Sequence, residues 1–292
     1  MLTKLFHTSP PEITAAAELL RAGELVAFPT ETVYGLGADA LNDEAVRKAY
    51  EVKGRPADNP MIVHVHSIAQ ARELMQEEPP LFTELANEFW PGPLTLIVRH
   101  NAAVPDVVTA GLDTVALRIP DHKVTRLLLR EVDIPIAAPS ANISGRPSPT
   151  NARMVYQDLQ GRIAAVLDGG ECVVGIESTV LDLTSPEPVI LRPGTVTRED
   201  IEDVIQSRVH FLEEYDGAPR SPGTKYRHYA PRAPLYVLPW QSDAEETAVL
   251  LRREITVHTS SGHSVGLLAP DRYRGSGEQH FFSFRGGSPV DY

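Results

Sequence analysis

The sequence predicts an α/β protein: a twisted, mixed open sheet followed by a small C-terminal α/β unit. Three observations point there. Short apolar runs such as Leu25–Phe28, Leu94–Val98 and Thr114–Ile119 alternate with stretches of helical spacing, the pattern of strands covered by helices. Strands at 163–167, 176–183 and 188–192 follow one another without an intervening helix, which a purely parallel sheet does not allow. Composition changes at 215–234, where Asp216–Gly223 reads as linker and Leu235–Leu238, 242–253 and Val265–Leu268 begin a second strand–helix–strand unit. The expected domains are therefore 1–210, a linker or lid at 211–233, and a small unit at 234–292.

Within the first domain, Glu12–Ala22 is rich in helix formers and stops at Gly23. Leu25–Phe28 is a buried strand, ended by Pro29, which has no N–H for the ladder. Thr30-Glu31-Thr32-Val33-Tyr34-Gly35-Leu36-Gly37 then reads as a polar turn, with the two glycines supplying unusual backbone angles. Asn42 caps a helix over 43–52 that stops at Gly54. A turn-rich connection at 53–60 leads to a strand over Met61–His66, helices at 67–76 and 80–89, and a break at Pro91-Gly92-Pro93. A helix over 122–131 precedes the short buried strand Ile134–Ala138 and the Pro- and Ser-rich loop Pro139–Pro149. Thr197 with Asp200 makes a capping box for a helix over 198–206.

Composition bounds the function. No apolar run reaches the roughly 20 residues of a membrane span, and the N-terminus lacks a signal peptide's apolar stretch. A single cysteine, Cys172, removes internal disulfides and cysteine-based zinc sites. Both point to the cytoplasm. A net charge of −12 argues against a generally basic nucleic-acid-coating surface, while leaving room for a local basic cavity. Walker A, G-x-G-x-x-G and H-E-x-x-H motifs are missing.

The polar outliers sit at strand ends and in Gly/Pro loops. Lys53 and Arg55 flank Gly54 and are placed either to close on polyphosphate or to face solvent at a helix C-terminus. His64 lies in an apolar strand, as a core residue or a ligand contact. Arg118, at the end of an apolar strand, needs an anion, either a substrate carboxylate or a structural acid. Ser140 and Asn142 offer a hydroxyl and an amide, to a ligand or to their own turn. Ser178 and Arg192 repeat the strand-end theme, and Cys172 reads as a small buried residue. Thr224–Pro231, in the linker, combines Lys225, Arg227 and His228 with Tyr226 and Tyr229. No strong nucleophile–base pair stands out. Such an inventory suits the alignment of two substrates on a nucleotide, where positioning and charge neutralisation dominate.

In their order and spacing, Pro29–Gly37, Lys53–Pro56, Pro91–Thr95, Pro139–Gly145 and Ser178–Val180 resemble the YrdC-like family, with similarity from about residue 10 to 206. Ser221–Pro231 resembles the linker of its long, two-domain form, with Thr224 where methionine is expected. The stretch after residue 232 is shorter than that family's second domain.

The resemblance implies a nucleotidyltransferase that converts L-threonine, bicarbonate or CO2, and ATP with Mg2+ into L-threonylcarbamoyladenylate and pyrophosphate. Partner proteins would then use this product to modify tRNA. It implies a threonine pocket of Thr32, His64, Arg118 and Ser178. It implies an ATP site of Lys53, Arg55, Asn59, Thr114, Ser140, Asn142, Ser148 and Arg192, backbone at Ala138, and Tyr229 closing over the nucleotide. Lys53 and Arg55 would be the catalytic cations, and no protein-held metal is implied. The alternative is a double-stranded-RNA or tRNA-binding module without turnover; a weak RNA contact is left open in either case.

Overall fold

The computed structural model describes residues 2–54, 56–212, 233–239 and 243–283. The chain divides into two compact units, Met1–Arg232 and Ala233–Tyr292.

The first unit runs β1 (Lys4–Phe6), α1 (Pro10–Arg21), β2 (Val26–Phe28), β3 (Gly35–Asp39), α2 (Asp43–Lys53), β4 (Ile62–His64), α3 (Ile68–Arg72) and α4 (Phe82–Phe89). It continues through β5 (Leu94–Arg99), α5 (Asp106–Thr109), β6 (Thr114–Arg118), α6 (Lys123–Val132), β7 (Ile136–Ala137) and α7 (Ala152–Leu159). It closes with β8 (Ala165–Leu167), β9 (Thr179–Asp182), β10 (Val189–Arg192), α8 (Arg198–Ile205) and β11 (His210–Phe211). Among the described residues, eleven strands form one sheet in the order β1-β8-β2-β3-β7-β4-β6-β5-β9-β10-β11. β4 lies parallel to β6 and β5 to β9, whereas β7 runs antiparallel to both β3 and β4. The sheet is mixed, as the back-to-back strands predicted.

Helices bury apolar residues on both faces of the sheet. Ile13, Ala16, Ala17 and Leu20 of α1 pack with Val124, Leu128 and Val132 of α6 in one cluster. Phe82, Leu85 and Ala86 of α4 join Leu94, Leu96 and Leu117 in the larger one. The local signals hold. The Asn42 side chain accepts from the amides of Glu44 and Ala45, and Gly54 ends α2 in the left-handed region at φ 64°. Thr197 and Asp200 make the reciprocal capping box that opens α8.

Several expectations are corrected. Gly35-Leu36-Gly37 is not a turn with unusual angles but β3, paired antiparallel to β2. The glycines there are a matter of space: a Cβ on Gly37 would lie 2.7 Å from Phe28 Cε1 and 3.1 Å from Ile136 Cγ2. Strand β1, helices α5 and α7, and strand β11 were not anticipated.

In the second unit, α9 (Ala244–Ser260) precedes two parallel strands, β12 (Gly266–Ala269) and β13 (His280–Ser283). Leu251, Ile255, Leu267, Ala269 and Tyr273 form its small core. Leu235–Leu238, expected as a strand, belongs to no ladder among the described residues, with Leu235, Tyr236 and Val237 exposed. β-branched and aromatic content favours a strand only where a neighbouring strand takes up the backbone groups.

Adding one methyl group at Gly37 drives a Cβ into the Phe28 ring and the Val26 carbonyl. Gly37→Ala is expected to lower unfolding free energy by about 1–3 kcal/mol, read by urea denaturation. An unchanged midpoint shows that β2 and β3 have slack.

Candidate active site

Strand direction gathers the polar outliers. β4 and β6 are parallel neighbours with His64 opposite Arg118, so both side chains leave the same sheet end on the same face. β5 is antiparallel to β6, which brings its start, and that of the parallel β9, to the same end. Ser178 stands just before β9, and Arg192 closes β10 opposite Val180. From the other side, Ala138 donates to the Ile62 carbonyl, and Gly35 bridges Ser140. A cavity of about 810 Å³, including its open mouth, is lined by Thr32, Lys53, His64, Arg118, Ala138, Ser140, Asn142, Ser178 and Arg192.

Arg118 is buried and held on three sides. Its Nε donates to the Gly92 carbonyl at 3.0 Å, Nη1 to Thr32 Oγ1 at 3.0 Å, and Nη2 to Glu31 Oε1 at 2.6 Å. The pair is deep, with side chains 4% and 6% exposed. The structural acid that Arg118 required is therefore present, yet the guanidinium also lines the cavity. Thr32 belongs to a tight hydroxyl turn in which Thr30 Oγ1 lies 2.8 Å from Thr32 Oγ1 and accepts from the Thr32 and Val33 amides. Tyr34 turns away and donates its phenol to the Gly170 carbonyl.

Lys53 ends α2, but the solvated helix end is ruled out: the residue is buried. Its Nζ donates to the carbonyls of Ser140 and Asn142, the latter at 2.8 Å, and to Asn142 Oδ1 at 3.4 Å. Asn142 also bonds its own loop through the Ile143 and Arg146 carbonyls. The ammonium and this amide thus hold the loop 139–149 against the cavity. Arg192 donates from Nε and Nη2 to the Ser178 carbonyl, and from Nη2 to Ser178 Oγ. Ser178 Oγ also lies 2.8 Å from Thr95 Oγ1.

His64 is both a core residue and a cavity wall. Its ring meets Phe28 edge-on, and Nδ1 is buried without a hydrogen-bond partner. Burial, then the Arg118 charge, push its pKa down to about 3, so the ring is neutral at physiological pH. Burial pushes the Cys172 thiol up to about 11, which speaks against a nucleophile.

Other expected site residues stand elsewhere. Thr114 opens β6, four residues from Arg118 and so about 13 Å along the strand, outside the lining. Asn59 is buried and also outside the lining, its carbonyl accepting from the Tyr50 hydroxyl. Ser148 does not line the cavity but donates to Glu177, which does. Arg55 and Tyr229 lie outside the described residues. The sequence reading missed Arg146 and Glu177 in the lining. Arg146 pairs with Asp158 of α7; its place in the Pro/Ser loop was the available signal. Among the described residues, Glu177 is the one carboxylate in the lining.

These geometries define an α/β protein with a sheet-end cavity built from cations and neutral hydrogen-bond partners. A family model described as telomere recombination, covering Sua5, YciO and YrdC proteins, matches residues 18–194, and the threonylcarbamoyl-AMP synthase C-terminal domain matches 196–290. The chain belongs to the threonylcarbamoyl-AMP synthase family, in its two-domain form. It is 48% identical to the threonylcarbamoyl-AMP synthase of Bacillus subtilis over 94% of this chain and 78% of that protein. It is likewise 48% identical to that of Pyrococcus abyssi over 90% of this chain and 77% of that protein. The crystal structure of P. abyssi Sua5 complexed with L-threonine superposes with a TM-score of 0.87 at 44% identity, covering 97% of this chain and 83% of that one.

Because His64 titrates near 3 when folded and near 6.5 when unfolded, the unfolded chain binds the extra proton between those values. The stability it contributes is intact above pH 6.5 and falls as pH drops towards 3, by about 1.4 kcal/mol per unit. Removing the imidazole in His64→Asn is expected to flatten the fall in unfolding free energy from pH 7 to 5 by roughly 2 kcal/mol. Parallel wild-type and variant curves would show that His64 does not titrate in this way.

Proposed function

We propose that this protein makes L-threonylcarbamoyladenylate from L-threonine, bicarbonate or CO2, and ATP, releasing pyrophosphate. The carrying observation is the convergence of Lys53, His64, Arg118, Ser140, Asn142, Ser178 and Arg192 on one cavity, in a chain whose relatives are named for this synthesis.

Chemistry and geometry fit. The amine of threonine attacks CO2 and loses a proton, giving a carbamate. A carbamate oxygen attacks the α-phosphorus of ATP, and pyrophosphate leaves with the electron pair of the broken P–O bond. In this reading Arg118 grips the threonine carboxylate, with Thr32, neutral His64 and Ser178 around the rest of the amino acid. Lys53 and Arg192 offset phosphate charge as it moves towards the leaving group. Ser140, Asn142 and the backbone at Ala138 orient the nucleotide, and Arg55 and Tyr229 are assigned to the same site from the family motif. A water-poor pocket suits a carbamate that otherwise hydrolyses.

Mg2+ is proposed to arrive with the triphosphate, where it would supply further charge neutralisation. Magnesium is usually held by one or two carboxylates plus phosphate oxygens, and Glu177, which lines the cavity, would be such a carboxylate. Among the described residues no cluster of three His, Cys, Asp or Glu could hold a metal by itself. Proteins that transfer the threonylcarbamoyl group to tRNA, releasing AMP, are the proposed downstream partners, and the cytoplasm the proposed compartment. Among the described residues no helix is long and apolar enough to cross a membrane. The relatives' names favour turnover over an RNA-binding module without it.

Pyrophosphate release is expected to require ATP, L-threonine and bicarbonate together; release that ignores threonine and bicarbonate ends the proposal. Arg118→Lys keeps the charge but loses the planar fork, and is expected to raise the threonine KM on the order of 100-fold. Lys53→Ala is expected to raise the ATP KM by a similar factor. Wild-type kinetics in both variants would mean that the site lies elsewhere.

A further inference from the structure

We propose that Glu31 is a positioning residue for this reaction, setting the plane of the Arg118 guanidinium on which the amino-acid carboxylate is gripped. The role deepens the threonine reading above and rests on it.

A guanidinium at a strand end can point in many directions, because it rides on a long flexible stem. Here its direction is over-determined. Gly92, Thr32 and Glu31 come from two different loops and take the Nε, Nη1 and Nη2 hydrogens in turn. Glu31 is itself anchored: its second oxygen accepts the Asp121 amide at 2.9 Å, from the segment just beyond β6. The carboxylate therefore cannot swing away without abandoning a backbone N–H. Glu31 is buried, yet it is not part of the cavity lining. It sits behind Arg118, while Thr32, its neighbour in sequence, faces the cavity.

The way Glu31 binds matters as much as where it sits. A guanidinium carries five N–H groups in a rigid fork, and a carboxylate commonly takes two of them side by side. Glu31 gives Arg118 one oxygen and Asp121 the other. Of the five hydrogens three are engaged by these contacts, which leaves one on each terminal nitrogen for a second carboxylate. A bidentate Glu31 would satisfy the fork and blunt it; removing Glu31 would leave a buried charge unpaired and the fork undirected. The monodentate, backbone-anchored carboxylate does neither.

The test compares L-threonine with L-threoninol, which lacks the carboxylate, by calorimetric titration of wild type and Glu31→Gln. Glutamine keeps the shape and one acceptor but not the charge or the double anchor. The wild type is expected to prefer threonine, and in Glu31→Gln that preference is expected to fall by on the order of 10- to 100-fold. The ATP KM should stay within about twofold, because the misplacement is local to the amino-acid end of the cavity. Glu31→Asp, which keeps the charge but draws it back from both partners, should show a weaker loss; it is read by the same ratio if Glu31→Gln does not fold. An unchanged threonine-to-threoninol ratio, or a loss that strikes ATP equally, overturns the positioning role alone. A wild-type protein that binds neither ligand overturns the threonine reading itself.

Discussion

The buried ion pair between Arg118 and Glu31 is the constraint on which the rest of the site depends. Taking two charges out of water costs several kcal/mol each, and their attraction offsets that only when the remaining donors and acceptors are also satisfied. That condition is met from the backbone: the Gly92 carbonyl and the Asp121 amide complete what the two side chains begin. The pair thereby ties the turn after β2 to the end of β6, although β3, β7 and β4 lie between them in the sheet. The Pro29–Tyr34 turn is a wall of the cavity because a buried carboxylate pins it there.

The same logic explains how an acidic protein, at −12 overall, keeps a cationic hollow. Net charge describes the surface; the cavity is set by four cations brought in from separate elements. Each is held in place by oxygen atoms of this chain. Lys53 is the clearest case, since its position at a helix end would ordinarily leave it in water. Two loop carbonyls and an amide oxygen draw it inwards instead, and the loop 139–149 takes its shape around the ammonium. Oxygen atoms of the chain itself fix the orientation of the ammonium, the condition under which fixed charges act most strongly on a reacting group.

The fold class and part of the cavity lining were legible because they rest on local signals. Apolar runs marked the central strands, and the Asn42 and Thr197 caps and the Gly54 stop behaved as their chemistry requires. Cations and amides at strand ends marked the cavity. What was not legible depends on partners distant in sequence. β1 and β11 are three- and two-residue strands, too short to carry a period, and exist because β8 and β10 offer them edges. Gly35 and Gly37 looked like turn residues because nothing nearby in sequence announces the Phe28 ring and Ile136 packed against them. Glu31 was visible only as one polar residue in a turn, since its partner Arg118 stands 87 positions away. Leu235–Leu238 failed in the opposite sense: a convincing local pattern that no strand among the described residues completes.

The four cations also differ in how they are held, and the difference suits the proposed pair of unlike anions. Carbonyl oxygens direct Lys53 and Arg192; such contacts aim a cation without cancelling its charge. Carboxylates direct Arg118 and Arg146, and these aim and neutralise at once. A triphosphate brings several negative charges and rewards the first arrangement. An amino acid brings one carboxylate and must be told from other small anions, which rewards a neutralised fork whose remaining attraction is mostly geometric. In the proposed reaction charge would select the triphosphate and the planar fork of Arg118 the amino acid, with the strand ends of one sheet supplying both arrangements.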